Sequence, residues 1–112
     1  MTSSADPSTS CQVRIVGRLG SRVDSRELPS GDTVVTFTIV VDRPRRARSD
    51  GTRARVDAIP CQAFLAPVRR RVTTLEPGTL VEAEGRLRRR FWRNLAGPSS
   101  VLDVEVTKLR LG

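Results

Sequence analysis

Between Glu84 and Trp92 the chain reads EGRLRRRFW, which sets Arg86, Arg88, Arg89 and Arg90 beside Phe91 and the only tryptophan. Guanidinium groups pair with phosphates or stack on planar rings, and an exposed indole offers its face to a nucleobase. That is the chemistry of binding a polyanion that carries bases. A solvated basic strand with two aromatics tucked beneath it would contain the same residues, so the rest of the chain has to separate the two readings. Other chemistry is scarce. The sequence has no histidine and a single lysine, Lys108, and its carboxylates are scattered over turns and strand faces. No acid–base pair and no nucleophile with a base partner can be assembled from them. Cys11 and Cys61 lack CxxC spacing and histidine neighbours, so a zinc site has no ligand set. Both cysteines read as small buried hydrophobes within apolar runs rather than as a disulfide. No Walker or dinucleotide-binding glycine pattern occurs. The expectation is a binding protein and not an enzyme, with no cofactor and no metal.

The formal net charge is +8 and the pI about 11.4, a statement about partners and not about fold. A codon bias toward arginine produces such a total without selection for binding, so placement carries the argument. From Arg43 to Arg55 the only acid among six arginines is Asp50, and from Arg86 to Arg93 five arginines face none. In an extended strand, residues two apart share a face about 6.6 Å from one another. Arg86, Arg88, Arg90 and Trp92 then form one row, while Val81, Ala83 and Leu87 point to the core. Phe91 shares the parity of Leu87 and reads as a core plug. Trp92 either ends the row in solvent or lies buried under a loop.

The elements that must position this row are mostly strands. At 112 residues the chain suits one domain, and its few aromatics leave the core to Val and Leu. Residues 1–10 are polar and expected to be disordered. They lack the features of a signal peptide, and no apolar run is long enough to span a bilayer. A cytoplasmic, nucleoid-associated protein without membrane contact is expected. CQVRIVGRLG alternates as a half-buried strand with a bend or bulge at Gly17, PSGD marks a turn, and TVVTFTIVVD is a second strand with Phe37 in the core. RPRRARSDGTRAR reads as a mobile basic loop. VDAIPCQAF is a third strand in which Pro60 suits an edge or a bulge. APVRRRVTTLEPG reads as a helix with Val68, Val72 and Leu75 inward and Arg69, Arg70 and Arg71 in solvent. TLVEAEGRLRRRFW is a long fourth strand, NLAGPSS supplies turn residues, and VLDVEVTKLRL alternates as a fifth. This order predicts an all-β chain, a five-stranded OB-fold Greek-key barrel over residues 11–112 with one helix between strands three and four.

In that order and spacing, the segments IVGRLG, LPSGDTVVTFTIVVDR, CQAF, LEPGTLVEAEGRLRRRFW and VEVTKLRL resemble the bacterial single-stranded DNA-binding protein (SSB) family, across residues 11–111. Within that resemblance the chain reads as a short, tailless, Arg-rich paralogue, of actinobacterial type by its arginine bias. The resemblance implies sequence-independent binding and protection of single-stranded DNA in replication, recombination or repair, with assembly as a homo-oligomer, a dimer or a tetramer. It places base-stacking aromatics on Phe64 and Trp92. Two further aromatic positions of the family fall on Ala58 and near Arg45, so two platforms are missing. Arginine compensates in this reading, with Arg18, Arg43, Arg45, Arg46, Arg48, Arg53, Arg55, Arg86, Arg88, Arg90 and Arg93 as the candidate backbone contacts, which makes binding salt-sensitive. The chain ends at Gly112 without the acidic tip by which family members recruit other proteins, so that route of recruitment is not expected. RNA stays an alternative polymer, because nothing in the sequence reads a 2′-hydroxyl. The alternative function is a tailless OB module kept for protein contact, a replication-restart accessory or a partner that assembles with another SSB.

Overall fold

Runs of Val, Ile and Thr with a two-residue period favour the pleated strand, where branched side chains pack on one face and leave polar groups on the other. Such runs supply most of the six strands in the computed structural model, which describes residues 11–43 and 55–112. In chain order they are β1 (Gln12–Leu19), β2 (Asp24–Glu27), β3 (Thr33–Asp42), β4 (Val56–Ala63), helix α1 (Ala66–Thr74), β5 (Leu80–Asn94) and β6 (Gly97–Leu111). The sheet runs β1-β5-β6-β4-β3-β2, and β1 also pairs with β3 at Arg18↔Val40 and Leu19↔Ile39, which closes it into a barrel. Closure needs a glycine. A Cβ on Gly17 would meet the Val40 carbonyl oxygen at 2.4 Å, so β1 can lie this close to β3 beside the Arg18 and Leu19 pairs only because residue 17 has no side chain. The expectations of a disordered segment over residues 1–10, and of a mobile basic loop carrying Arg45, Arg46, Arg48 and Arg53, lie outside the described residues.

The core is aliphatic, as the composition requires. Ile15, Leu19, Val35, Ile39, Val81, Ala83, Val104, Val106 and Leu109 fill it around Phe37, and Val68 and Val72 of α1 cover one end. Pro67 falls in the first turn of α1, where no backbone N–H is needed. Among the described residues, no helix is long and apolar enough to cross a membrane.

Four sequence expectations change. A short polar strand, β2, joins the five that were expected. All its residues are exposed and it pairs along the edge of β3 from Asp24↔Thr36 to Glu27↔Thr33. The last strand starts at Gly97 and not at Val101, because the turn is confined to Leu95 and Ala96. There the Ala96 N–H donates to Asn94 Oδ1 at 2.9 Å, and Gly97 takes a φ of 116°. This strand does not alternate cleanly either: the ladder pairs Glu84 with Lys108 and then Gly85 with Val106, so Thr107 is an extra residue in a β-bulge. The three-residue step from Val106 to Leu109, both buried, is the trace of that bulge. Finally, Cys11 is exposed just before β1, where nothing among the described residues covers it, and only Cys61 is buried. Pro60 sits within β4 opposite Thr38, and because the parallel ladder to β6 covers only Cys61 and Gln62, its missing N–H costs no bond to β6.

Candidate nucleic-acid interface

The long strands β5 and β6 outrun the barrel. Gln12 is the last β1 residue paired with β5, opposite Arg86, and the Leu87 N–H still reaches the Cys11 carbonyl at 3.0 Å. Beyond that, Arg88 to Asn94 pair only with Asp103 back to Gly97. At about 3.3 Å per residue this two-stranded arm projects about 20 Å. The register past the bulge is regular, so its faces are unambiguous. Arg86, Arg88, Arg90 and Trp92 lie on one face with Glu105, Asp103, Val101 and Ser99 opposite them.

On this face the arginines are already partnered. Arg86 Nε donates to Glu105 Oε1 at 3.0 Å, Arg88 Nε to Asp103 Oδ1 at 2.9 Å, and Arg90 Nε to Asp103 Oδ2 at 2.7 Å. Asp103 is only 1% exposed, so it is a buried carboxylate clamped by two guanidiniums that both reach solvent. Arg88 also donates through Nη2 to Gln62 Oε1. Its guanidinium carbon stands 5.3 Å from the centroid of the Phe64 ring, a cation–π distance. Phe64 is half-buried at the end of β4, and its carbonyl accepts from Arg69 Nε at 3.0 Å, which anchors the chain as it enters α1. Trp92 is 47% exposed at the far end of the row. The expected stacking pair and the arginine row therefore share one surface, which continues over β4 and β3. A cleft of about 190 Å³ there is lined by Thr36, Thr38, Pro60, Gln62, Arg90 and Asp103, among others.

Toward the barrel the same face of β5 changes sign. Glu82 and Glu84 replace the arginines and pair with Arg14 and Arg110, with Arg110 Nη2 at 2.9 Å from Glu84 Oε2. The hydrogen bond from Arg14 holds the Glu82 carboxyl below the usual carboxylate range, against the opposing effect of burial, and Arg110 adds to it. Beneath the arginine face, burial first and the charge of Asp103 second push the Cys61 thiol up to about 12. It is an inert core residue.

The remaining candidates are dispersed. Arg18 is exposed at the opposite end of β1, about 20 Å along the strand from the arm, and lines a separate cleft with Val40 and Asp42. Arg43 Nε is paired with Asp57 Oδ1 at 2.9 Å, and its N–H bonds the carbonyl of the exposed Arg55. Arg93 lies on the opposite face of the arm from Trp92, across from Pro98. Two residues expected in the core are not there: Leu87 is 37% and Phe91 73% exposed, because the barrel ends where the arm begins and no described element covers its second face. Asp103, Glu105 and Gln62 were not singled out from the sequence. The alternation of Asp103 and Glu105 with Val104 and Val106 marks them as one outer face, but only the register shows that they meet the arginines.

The model of the single-strand binding protein family matches residues 11–111. The chain belongs to that family. Among curated SSB proteins it resembles single-stranded DNA-binding proteins 2 and 3 of Listeria innocua, at 31% and 33% identity over 86 residues. These alignments take in 77% of the chain, which spans about half the length of either relative. Among solved structures it is similar to the Plasmodium falciparum SSB in complex with ssDNA, with a TM-score of 0.76 at 19% identity, covering 99% of this chain and 98% of that one. The mitochondrial single-stranded DNA-binding protein Rim1 of Saccharomyces cerevisiae superposes with a TM-score of 0.67 at 19% identity, over 91% and 94% of the two chains. The barrel is thus the OB fold of the SSB family, with one short strand more than the five expected.

Proposed function

We propose that the chain binds single-stranded DNA without reading its sequence, and that the arm face holding Phe64, Arg88, Arg90 and Trp92 is where it does so. The observation that carries this reading is the half-exposed Trp92 in register with three guanidiniums on one sheet face. A base stacks on each aromatic while the guanidiniums meet the backbone, contacts that do not depend on base identity. Membership of the SSB family and the ssDNA-bound state of the Plasmodium neighbour support it. Its role is binding and protection, not catalysis, in the cytoplasm and as an oligomer. Phe64 differs from Trp92 in one respect: Arg88 already occupies its ring, so a base has to share or displace that guanidinium.

Fluorescence of the only tryptophan tests the reading directly. Titration with oligo(dT) should quench Trp92, and if about five phosphates are neutralised the log–log slope of affinity against salt should be near −3.5. Trp92→Ala should weaken binding by about 1 to 3 kcal/mol. An unquenched Trp92, together with no complex at low salt, would overturn the proposal.

A further inference from the structure

A two-stranded ribbon has two faces, and the second face of the arm resembles the first in its chemistry. Alternation puts Arg89, Phe91 and Arg93 there, opposite Leu102, Ser100 and Pro98. Phe91 is 73% exposed, more than Trp92 at 47%. Ser100, directly across from it, is too small to cover the ring. Arg89 Nη1 donates to Ser100 Oγ at 3.0 Å, which ties that guanidinium to the residue directly across from Phe91.

The charge balance of the two faces differs in an unexpected direction. On the first, Arg86, Arg88 and Arg90 face Glu105 and Asp103, which leaves one net positive charge from three less two. On the second, Arg89 and Arg93 have no carboxylate partner among the described residues, and neither strand places an acid on that face of the arm. The second face therefore carries two positive charges, more than the first. Burying Phe91 against an apolar protein surface would strip water from both guanidiniums without pairing them, which is unfavourable. A base on the ring with phosphates on either side satisfies all three groups, since each arginine lies about 6.6 Å along the strand from Phe91.

We propose that single-stranded DNA crosses the arm and uses both faces, with Phe91 as a further base-stacking residue and Arg89 and Arg93 as its phosphate contacts. This rests on the reading of the first face given above. It is tested with the full chain, comparing wild type, Phe91→Ala and Phe91→Tyr on a short oligo(dT) of about 6 nucleotides and a long one of about 16, within the range one OB fold covers. Trp92 quenching reports the first face throughout. Phe91→Ala should bind the short oligonucleotide within about two-fold of wild type and the long one about 5- to 150-fold more weakly, with Phe91→Tyr restoring it. Equal affinity of Phe91→Ala and wild type for the long oligonucleotide overturns the proposal. If that equality comes with a lower solution mass, the face is an interface between copies of the chain and the proposal is equally overturned. If wild type quenches with neither oligonucleotide, the fault lies in the first-face reading and takes this inference with it.

Discussion

Asp103 governs how much of the arginine charge on β5 a ligand can use. It is 1% exposed, whereas the side chains of Arg88 and Arg90 are 25% and 44% exposed. The asymmetry means that the carboxylate depends on the arginines more than they depend on it. Removing both partners strands a buried charge, so Arg88→Ala/Arg90→Ala should destabilise the fold by roughly 3 kcal/mol in urea unfolding. Adding Asp103→Asn in that background should recover most of the loss. The cysteines give a second residue-level expectation. At about pH 8, iodoacetamide should modify only the exposed Cys11 in the folded chain and both thiols after unfolding. Because the folded state holds the Cys61 proton more tightly than the unfolded state, its contribution to stability is full below the ordinary thiol value of 9.0 and is lost as pH rises toward about 12. Urea midpoints at about pH 8 and about pH 10.5 should therefore differ for the wild type, and differ less for Cys61→Ala. None of the Asp103 arrangement was legible in VLDVEV. A carboxylate on an outer face is ordinarily solvated, and only the strand register puts two guanidiniums over this one, the Arg88 group being held by Gln62 as well.

At the scale of the element, the arm is one continuous pair of strands used for two purposes, core packing up to Gly85 and a ligand surface beyond Arg86. Gly85 marks the change. A Cβ there would meet the Glu105 carbonyl oxygen at 2.0 Å and other backbone atoms of Glu105 and Val106 within 2.9 Å. Since backbone cannot swing aside as a side-chain tip can, Gly85→Ala should cost on the order of 3 kcal/mol, read as a lower urea midpoint. Strand periodicity correctly grouped Arg86, Arg88, Arg90 and Trp92 on one face, because parity is a local property. It misplaced Leu87 and Phe91, because which face is covered depends on where the barrel ends, and that is fixed by the length of β1. The short strand β2 escaped notice for the opposite reason. DSRE has no apolar alternation, and its pairing with β3 is an edge effect that uses the backbone alone.

Across the whole molecule, the count of twenty basic residues overstates the number of cations free to bind. Arg14, Arg43, Arg86, Arg88, Arg90 and Arg110 are all committed to carboxylates. A phosphate that takes Arg90 has to compete with Asp103, whereas one that takes Arg93 meets no carboxylate competitor among the described residues. Arg93→Ala should therefore reduce the salt slope by about 0.7 and Arg90→Ala by less, while Trp92→Ala should lower affinity and leave the slope unchanged. The fold itself was legible from the order of its elements, because the helix between two strand blocks and the paired turn signals leave few topologies. The bulge at Thr107 was visible only as a skipped beat in the apolar pattern. It has a consequence of its own. Taking out Thr107 would leave every pairing of β5 with β6 intact, with Gly85 still opposite Val106 and Glu84 still opposite Lys108. What would go is the extra local twist that a bulge supplies. The bulge lies within the barrel, three strand pairs before the arm begins, so its twist acts like a wrist upstream of a hand: it bears on the direction in which β5 and β6 run on into the arm, and so on the path of a bound strand.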